Sequence, residues 1–163
     1  MIGNDVIDLT LANQESNWKR KGFLQKLFTA SEQQRILKAI NPFQMVWILW
    51  SIKESVYKAN LRMDYKRGFY PVKIRVKSII YLNSEYHSVI VLNNHTFFAK
   101  TEANNHFIHT IAAHSEVGVK NIVLLDNAIL YTKNTNGLPF QLHSQKEVSV
   151  SQHGKYKKII GLK

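Results

Sequence analysis

The segment around residue 54 carries an acidic and a basic residue with helical spacing. Glu54 and Lys58 are four residues apart and follow an apolar run that ends at Trp50. Side chains with this spacing are neighbours on a helix, where they usually form a surface ion pair contributing roughly 0.2–0.5 kcal/mol. A chemical role requires a second carboxylate and a reason for the cation. Asp5, near the start of the chain, is the candidate for that carboxylate.

The chain is strongly basic. Its 163 residues include 22 Lys and Arg against 11 Asp and Glu, which gives a formal charge of +11. Eight of the cations fall between Lys53 and Lys77, together with only two acids. Both a polyanion site and a solvated face are consistent with this concentration of charge.

Composition excludes several classes of protein. The chain has no Cys, which rules out disulfide scaffolds, thiolate zinc sites and cysteine nucleophiles. The apolar stretch from Met45 to Trp50 is far shorter than the ~20 residues that span a bilayer. Asp5 and Asp8 stand where a signal peptide would carry positive charge. We therefore expect a cytoplasmic protein with no membrane partner.

The pattern of elements predicts an α+β fold, with early helices packed on a mainly antiparallel sheet in one domain over residues 1–163. Residues 1–7 are expected to form a short strand. The capping box from Thr29 to Glu32 begins a helix that runs to about Ile40. Asn41 and Pro42 end it and start a second helix. One stripe of this second helix contains Trp47, Trp50, Glu54, Lys58 and Leu61.

From residue 72 onward the chain alternates with period two and is rich in β-branched and aromatic residues. Hairpin turns are expected where residues tolerant of positive φ occur, at Asn93-Asn94, Asn104-Asn105 and Asn136-Gly137. The predicted strands are 72–80, 87–92, 96–101, 107–114, 120–125, 129–132, 147–151 and 156–161.

Two segments resemble motifs of the 4′-phosphopantetheinyl transferases. Gly3-Asn4-Asp5 resembles their Gly-x-Asp strand, and Trp50-Ser-Ile-Lys-Glu-Ser-Val-Tyr-Lys58 resembles their Trp/Phe-(Ser/Ala/Thr)-x-Lys-Glu-(Ala/Ser)-x-x-Lys helix. The order of the motifs is similar to that of the short, holo-acyl-carrier-protein synthase type. Three further segments look like family motifs: Leu27 to Glu32, Asn136 to Pro139 and Val148 to Ser151.

The chain departs from the family pattern in two places. The family has a Ser-His pair where this sequence has Ser151-Gln152 followed by His153, so either a one-residue slip restores the pair or the contact is lost. The family's second acid after Gly-x-Asp varies in spacing, and here Asp8 is the nearest candidate. In a continuous strand Asp8 would lie on the face opposite Asp5.

The resemblance implies transfer of the phosphopantetheine arm of coenzyme A to a serine of a carrier protein, with release of adenosine 3′,5′-bisphosphate. It assigns Mg²⁺, which prefers carboxylate oxygens, to Asp5 and Glu54, with Asp8 as a further candidate. Lys58 would stabilise charge on the phosphates, so Glu54 and Lys58 are the catalytic candidates. The serine proton would pass either to Glu54 or to a metal-bound water held by Asp5.

The resemblance also directs attention to the other cations. The candidate ligands for coenzyme A are Lys53, Lys58, Arg62, Lys66, Arg67 and Ser151. An acidic acyl or peptidyl carrier protein, such as one of fatty acid biosynthesis, is expected to dock on a second basic cluster formed by Lys19, Arg20, Lys21 and Lys26.

Two other functions are left open. A small basic nucleic-acid-binding module would also suit the charge, but no RNA or DNA motif is present, and we expect no nucleic-acid partner. An inactive family member is the other alternative, because of Gln152. A single-domain member also favours a homo-oligomer with its site at a subunit interface.

Overall fold

The computed structural model describes residues 1–163 and contains five α-helices and ten β-strands. The helices are α1 (Leu9–Glu15), α2 (Phe23–Leu27), α3 (Ala30–Lys38), α4 (Pro42–Asp64) and α5 (Glu116–Lys120). The strands are β1 (Ile2–Asp8), β2 (Arg75–Leu82), β3 (Glu85–Leu92), β4 (His95–Ala103), β5 (Phe107–Ala113), β6 (Ile122–Leu125), β7 (Tyr131–Lys133), β8 (Pro139–Gln141), β9 (Val148–His153) and β10 (Tyr156–Leu162).

Five strands form an antiparallel sheet in the order β1-β5-β4-β3-β2. A second antiparallel sheet has the order β6-β10-β9, and β7 pairs with β8. Helix α4 packs against β1 and β5, and the main core of 20 buried apolar residues includes members of the helix and of the large sheet. The predicted α+β fold is therefore confirmed.

The long helix α4 begins as its sequence predicts. The Asn41 side chain accepts a hydrogen bond from the backbone N–H of Gln44 at 3.0 Å, and Pro42 occupies the first turn, where its missing N–H costs nothing. Residues Val46, Ile48, Leu49, Ile52 and Val56 are completely buried. No helix in the structure has the length and apolar character needed to cross a membrane.

The structure differs from the predicted elements mainly in short segments. Helices α1, α2 and α5 and strand β8 were not predicted, since each has only three to seven residues and shows little periodicity. The chain at 71–73 forms a 3₁₀ turn beginning at Pro71, so β2 starts at Arg75 instead of at residue 72.

Strand β1 has one edge paired with β5, and four side chains bond to its other edge. The backbone N–H groups of residues 2, 4, 6 and 8 donate to the side chains of Glu147, Ser149, Ser151 and His153, at 2.6, 3.0, 3.0 and 2.9 Å. The sequence separation is always 145, so β9 and the residue before it run parallel to β1. We call these four contacts the side-chain ladder. It satisfies backbone donors that would otherwise be unpaired.

A buried ion pair joins α3, α4 and the start of β2. The Lys53 ammonium lies 2.8 Å from the Glu32 carboxylate, and both side chains are almost fully buried. Lys53 also donates to the carbonyls of Pro71 and Ile74 at 2.8 and 2.6 Å. Glu32 completes its capping box with Thr29 and accepts a bond from the N–H of Val76. Every donor of the ammonium therefore has an acceptor.

We expect removal of one partner of this pair to be strongly destabilising. Lys53→Met leaves the Glu32 carboxylate buried without its cation, and such a loss costs about 3–5 kcal/mol. Urea unfolding measures the change, and Lys77→Met, at an exposed lysine of β2, is the matched control. A Lys53→Met protein as stable as the control would contradict the structural role of the pair.

Candidate active site

The close approach of β1 to α4 sets the geometry of the site. A Cβ added to Gly3 would collide with the carbonyl oxygen of Ser55 and lie 2.6 Å from the nitrogen of Ala59, so only glycine fits. Asp5 is two residues further along the strand and therefore on the same face as Gly3. The Gly-x-Asp spacing thus places the Asp5 carboxylate against α4.

The Asp5 carboxylate is buried and only partly neutralised. Its Oδ1 accepts a hydrogen bond from the Ser151 hydroxyl at 3.0 Å and lies 3.5 Å from the Lys58 ammonium. Its Oδ2 is buried and has no hydrogen-bond partner. Burial raises the pKa of Asp5, against the opposing effects of Lys58 and Ser151. The site therefore holds a carboxylate oxygen that lacks a partner.

Glu54 lies on α4 and lines the same cleft as Asp5. Burial and the neighbouring charge of Asp5 raise its pKa to about 7, although Lys58 opposes the shift. Two neighbouring carboxylates in a partly desolvated cleft repel one another when both are ionised. A cation bound between them would relieve this repulsion.

Lys58 projects from α4 toward β1. Its ammonium donates to the Asn4 carbonyl at 2.8 Å, and its side chain remains 30% exposed. These contacts therefore fix the position of the Lys58 side chain but leave part of it accessible to a ligand.

Two clefts meet at these residues. The carboxylate cleft, of about 460 Å³, contains Asp5 and Glu54. The lysine cleft, of about 340 Å³, contains Lys58 and Arg62. Gln152 borders both clefts. The carboxylate cleft is further lined by Val6, Ile7, Ala12, Glu15, Ser16, Arg20, Phe23, Leu27, Trp47, Trp50 and His153, and the lysine cleft by Leu61, Tyr131, Lys133, Gly137, Leu138, Pro139, Ser149 and Val150.

The side-chain ladder fixes which residue of β9 takes the place of the histidine in the family's Ser-His pair. Ser151 contacts Asp5 and Val6, and His153 accepts the N–H of Asp8 through Nδ1. A one-residue slip would break these bonds, so Gln152 occupies the position after the serine. Ser151 is itself buried and positions Asp5. The structure thus assigns Ser151 a contact with Asp5, where the resemblance implied one with coenzyme A.

The structure gives two other predicted site residues structural roles. Asp8 is the N-cap of α1: Oδ1 accepts from the N–H groups of Thr10 and Leu11, and Oδ2 accepts from that of Lys155. Both oxygens therefore accept backbone hydrogen bonds, and the assignment of Asp8 as a metal ligand stays a prediction. Lys53 is buried in its pair with Glu32, so its ammonium cannot reach a ligand in either cleft.

The other predicted cations are divided between two places. Arg62 borders the lysine cleft, but its guanidinium is bound to the Glu147 carboxylate at 3.2 Å and to the carbonyls of Pro139 and Val148. Lys66 and Arg67 line a separate depression beyond the end of α4. The Arg67 guanidinium donates to the carbonyl of Asn136, beside Gly137 of the lysine cleft. Of the cations predicted to bind coenzyme A, only Lys58 contacts one of the two carboxylates, and Arg62 borders the same cleft as Lys58.

The residues present fit a small, hard divalent cation. No cluster of three or more His, Cys, Asp or Glu side chains occurs in the structure. Mg²⁺ usually binds one or two protein carboxylates and completes its shell with phosphate oxygens and water. Asp5 and Glu54 supply such a pair. The Oδ2 of Asp5 accepts no hydrogen bond within the chain, so its electron pairs are free to bind a metal.

Sequence reasoning missed several residues of the site. Trp47 and Trp50, named above only as members of a helix stripe, pack in or against the core and also line the carboxylate cleft. Ser149 was not singled out, although it belongs to the side-chain ladder. The alternation of Val148-Ser-Val-Ser151 was the available signal, because it places two hydroxyls on one face of a strand.

A carboxylate pair beside a lysine is typical of enzymes that act on phosphorylated substrates. A family model described as the 4′-phosphopantetheinyl transferase superfamily matches residues 1–111. This match covers more than half of the chain, which therefore belongs to that superfamily, as the two motifs indicated. No curated protein matches the chain. Asp5, Glu54 and Lys58 lie inside the matched region, and β9 lies outside it.

The raised pKa of Glu54 predicts a pH-dependent stability. Its folded pKa of about 7 exceeds the ordinary value of 4.5, so the folded state becomes less stable as pH rises from 4.5 to 7. We expect Glu54→Gln to stabilise the metal-free protein at pH 8 by about 2 kcal/mol and to have little effect at pH 4.5. Urea unfolding at the two pH values tests this.

Added MgCl₂ gives a second measurement on the same proteins. It should stabilise the wild type at pH 8 and have little effect on Glu54→Gln, because a ligand of the folded state adds to its stability. Equal stabilisation of both proteins would show that Glu54 is not a ligand of the added Mg²⁺.

Proposed function

We propose that this protein transfers the 4′-phosphopantetheine group of coenzyme A to a serine of an apo carrier protein in a Mg²⁺-dependent reaction. The observation that carries the proposal is the shared position of Asp5, Glu54 and Lys58 at the junction of two clefts, with one Asp5 oxygen unpartnered. Membership of the superfamily supports the general reaction. The order of the motifs supports the short, holo-acyl-carrier-protein synthase type.

Asp5 and Glu54 would hold the metal. When bound, Mg²⁺ would neutralise phosphate charge and so make the phosphorus more accessible to a hydroxyl nucleophile. Ser151 keeps the Asp5 carboxylate oriented by donating to Oδ1, which leaves Oδ2 available. The apolar rings of Trp47 and Trp50 line the cleft beside these carboxylates.

Lys58 is placed to bind the phosphates of coenzyme A. Its contacts with the Asn4 carbonyl and Asp5 hold the ammonium between the carboxylates and the lysine cleft. A cation fixed in advance stabilises charge that develops on a leaving group without further reorganisation. Arg62 contributes positive potential from the same side, while its own hydrogen bonds connect α4 to β8 and β9.

The reaction is tested by mass spectrometry. The protein is incubated with coenzyme A, MgCl₂ and a panel of apo carrier proteins, and the product is a carrier with phosphopantetheine attached to a serine. Glu54→Gln should reduce turnover by at least 10²-fold, because it removes a metal ligand on which the chemical step depends.

The matched control for this variant is Glu116→Gln, which changes an exposed acid on α5. It should retain wild-type turnover. If no carrier is modified by the wild type and coenzyme A does not bind in the presence of MgCl₂, the proposed reaction is incorrect. A fully active Glu54→Gln protein would exclude the proposed metal site.

The carrier protein is proposed to dock beside the mouth of the carboxylate cleft. Arg20 lines this cleft, and the exposed Lys19, Lys21 and Lys26 are near it in sequence, the first two before α2 and Lys26 in its last turn. Carrier proteins that present acidic residues would be attracted to this cluster, with a rate that falls as salt screens the charges.

Charge reversal at the cluster tests this docking site. The double variant Lys21→Glu/Lys26→Glu should raise KM for an acidic carrier about tenfold at low ionic strength, with a smaller change at high salt. Its affinity for coenzyme A should not change, because neither residue lines a cleft. Lys120→Glu, on α5, is the control. An equal increase in KM for both variants would show that only the net charge matters.

A further inference from the structure

Strand β2 is the outer edge of the large sheet on the side opposite β1, and its two halves differ. The first half has features that prevent pairing with another chain: the exposed cations Arg75 and Lys77, and a register irregularity between Val76 and Ser78. The N–H of Val76 also donates to the Glu32 carboxylate at 2.9 Å. Charged side chains and bulges are the usual protection of an exposed edge. This half of β2 is therefore blocked.

The second half of β2 has no such protection. Ile80, Tyr81 and Leu82 are consecutive and are 62%, 61% and 56% exposed, and no charged residue lies between Ser78 and the turn at Asn83. Ile80 and Leu82 also line an apolar groove of about 450 Å³ on the face of the sheet beside α5 and β6. An exposed apolar edge of this kind is a surface to which another strand can add.

The hairpin that follows β2 determines which of its backbone groups face outward. Leu82 pairs with Glu85 across two turn residues, and such a turn is closed by a hydrogen-bonded pair. Since hydrogen-bonded and non-hydrogen-bonded pairs alternate, the N–H and C=O groups of Ile79 and Tyr81 point away from β3. The extra residue at position 77 reverses this order, so the N–H of Val76 points outward too, as its bond to the α3 carboxylate requires. No element of the chain pairs with Ile79 and Tyr81 on this outer side.

We propose that the second half of β2 is a self-association surface, on which β2 of a second copy of this chain adds antiparallel about a two-fold axis at Ile80. In that register Ile79 of each copy lies opposite Tyr81 of the other, and these are the residues whose backbone groups face outward. Each of these pairs exchanges both of its backbone hydrogen bonds. Ile80 meets Ile80 of the second copy in a non-hydrogen-bonded pair, where side chains approach most closely.

A second copy fits this edge because β2 is complementary to itself. An isologous contact brings the same surface of each copy together, and pairing about Ile80 joins the two apolar halves. Arg75 and Lys77 of each copy then lie beside the turn that follows β2 of the other, near Glu85 instead of near another cation. The pairing therefore keeps like charges apart at the contact, although each copy carries a formal charge of +11.

The surface is separate from the candidate active site. Neither Ile80 nor Leu82 lines the carboxylate cleft or the lysine cleft. The inference therefore goes beyond the proposed function and does not depend on it.

Sedimentation equilibrium at increasing protein concentration tests the association. The wild type should show a reversible equilibrium between monomer and dimer. Ile80→Lys should raise the dissociation constant of the dimer by about tenfold or more, because it places two like charges opposite one another at the axis. Leu124→Lys is the matched control, since it changes an apolar side chain of β6 that is 58% exposed. It should dimerise as the wild type does.

A cysteine cross-link tests the register, because the chain has no cysteine of its own. Residues in a non-hydrogen-bonded antiparallel pair have Cα atoms about 4.5 Å apart, a distance that a disulfide can span. Ile80→Cys should therefore form a disulfide-linked dimer under mild oxidation. Leu82→Cys should not, because residue 82 lies opposite residue 78 of the second copy. Val117→Cys, at an exposed position of α5, measures cross-linking by random collision.

Three results would overturn the proposal. The first is a wild type that stays monomeric at every concentration, with Ile80→Cys cross-linking no faster than Val117→Cys. The second is equal weakening of the dimer by Ile80→Lys and Leu124→Lys, which would place the contact on the open sheet face or attribute it to net charge. The third is cross-linking through residue 82 but not through residue 80. Transfer of phosphopantetheine by Ile80→Lys should equal that of the wild type, so the two proposals fail independently.

Discussion

The site depends on the hydrogen bonds that join β1 to β9. Strand β1 is the outermost strand of the large sheet, and its free edge carries four N–H groups that β5 cannot accept. Side chains of Glu147, Ser149, Ser151 and His153 accept them in place of a neighbouring backbone. Because the acceptors are side chains, β9 contributes chemical groups to the edge of β1. One of these, the Ser151 hydroxyl, also determines the position of the Asp5 carboxylate.

Some residues of the two family motifs are needed for packing, as others are for the proposed chemistry. Gly3 allows β1 to approach α4, and Lys53 holds α4 to α3 through Glu32. Adjacent residues of α4 therefore perform opposite tasks: Lys53 turns into the core, and Glu54 faces the cleft. The Thr-x-x-Glu and Lys-Glu segments, which resemble two separate family motifs, meet in one ion pair. A substitution that loosens this pair would displace Glu54 as well.

The sequence predicted the parts of the fold that rest on local signals. Pro42, the Thr29 capping box and the alternation of β2 to β5 each specify a long element with few competing conformations. Asp5 and Glu54 were identified as site candidates because each belongs to a short, contiguous sequence motif. The structural contacts of Asp8 and Lys53 could not be predicted, since a carboxylate that caps a helix and a lysine in a buried pair differ from ligand-binding residues only in their tertiary partners.

The part of the chain beyond the family match is necessary for the site. Residues 1–111 contain Asp5, Glu54 and Lys58, but they leave the outer edge of β1 without acceptors. The segment 112–163 supplies Ser151, which orients Asp5, and Gln152, which separates the clefts. Its loss would leave these N–H groups unpaired, because no other element reaches that edge, and Asp5 would keep its contact with Lys58 but lose the one with Ser151. The matched segment therefore contains the proposed reacting groups, and the rest of the chain contributes to their geometry.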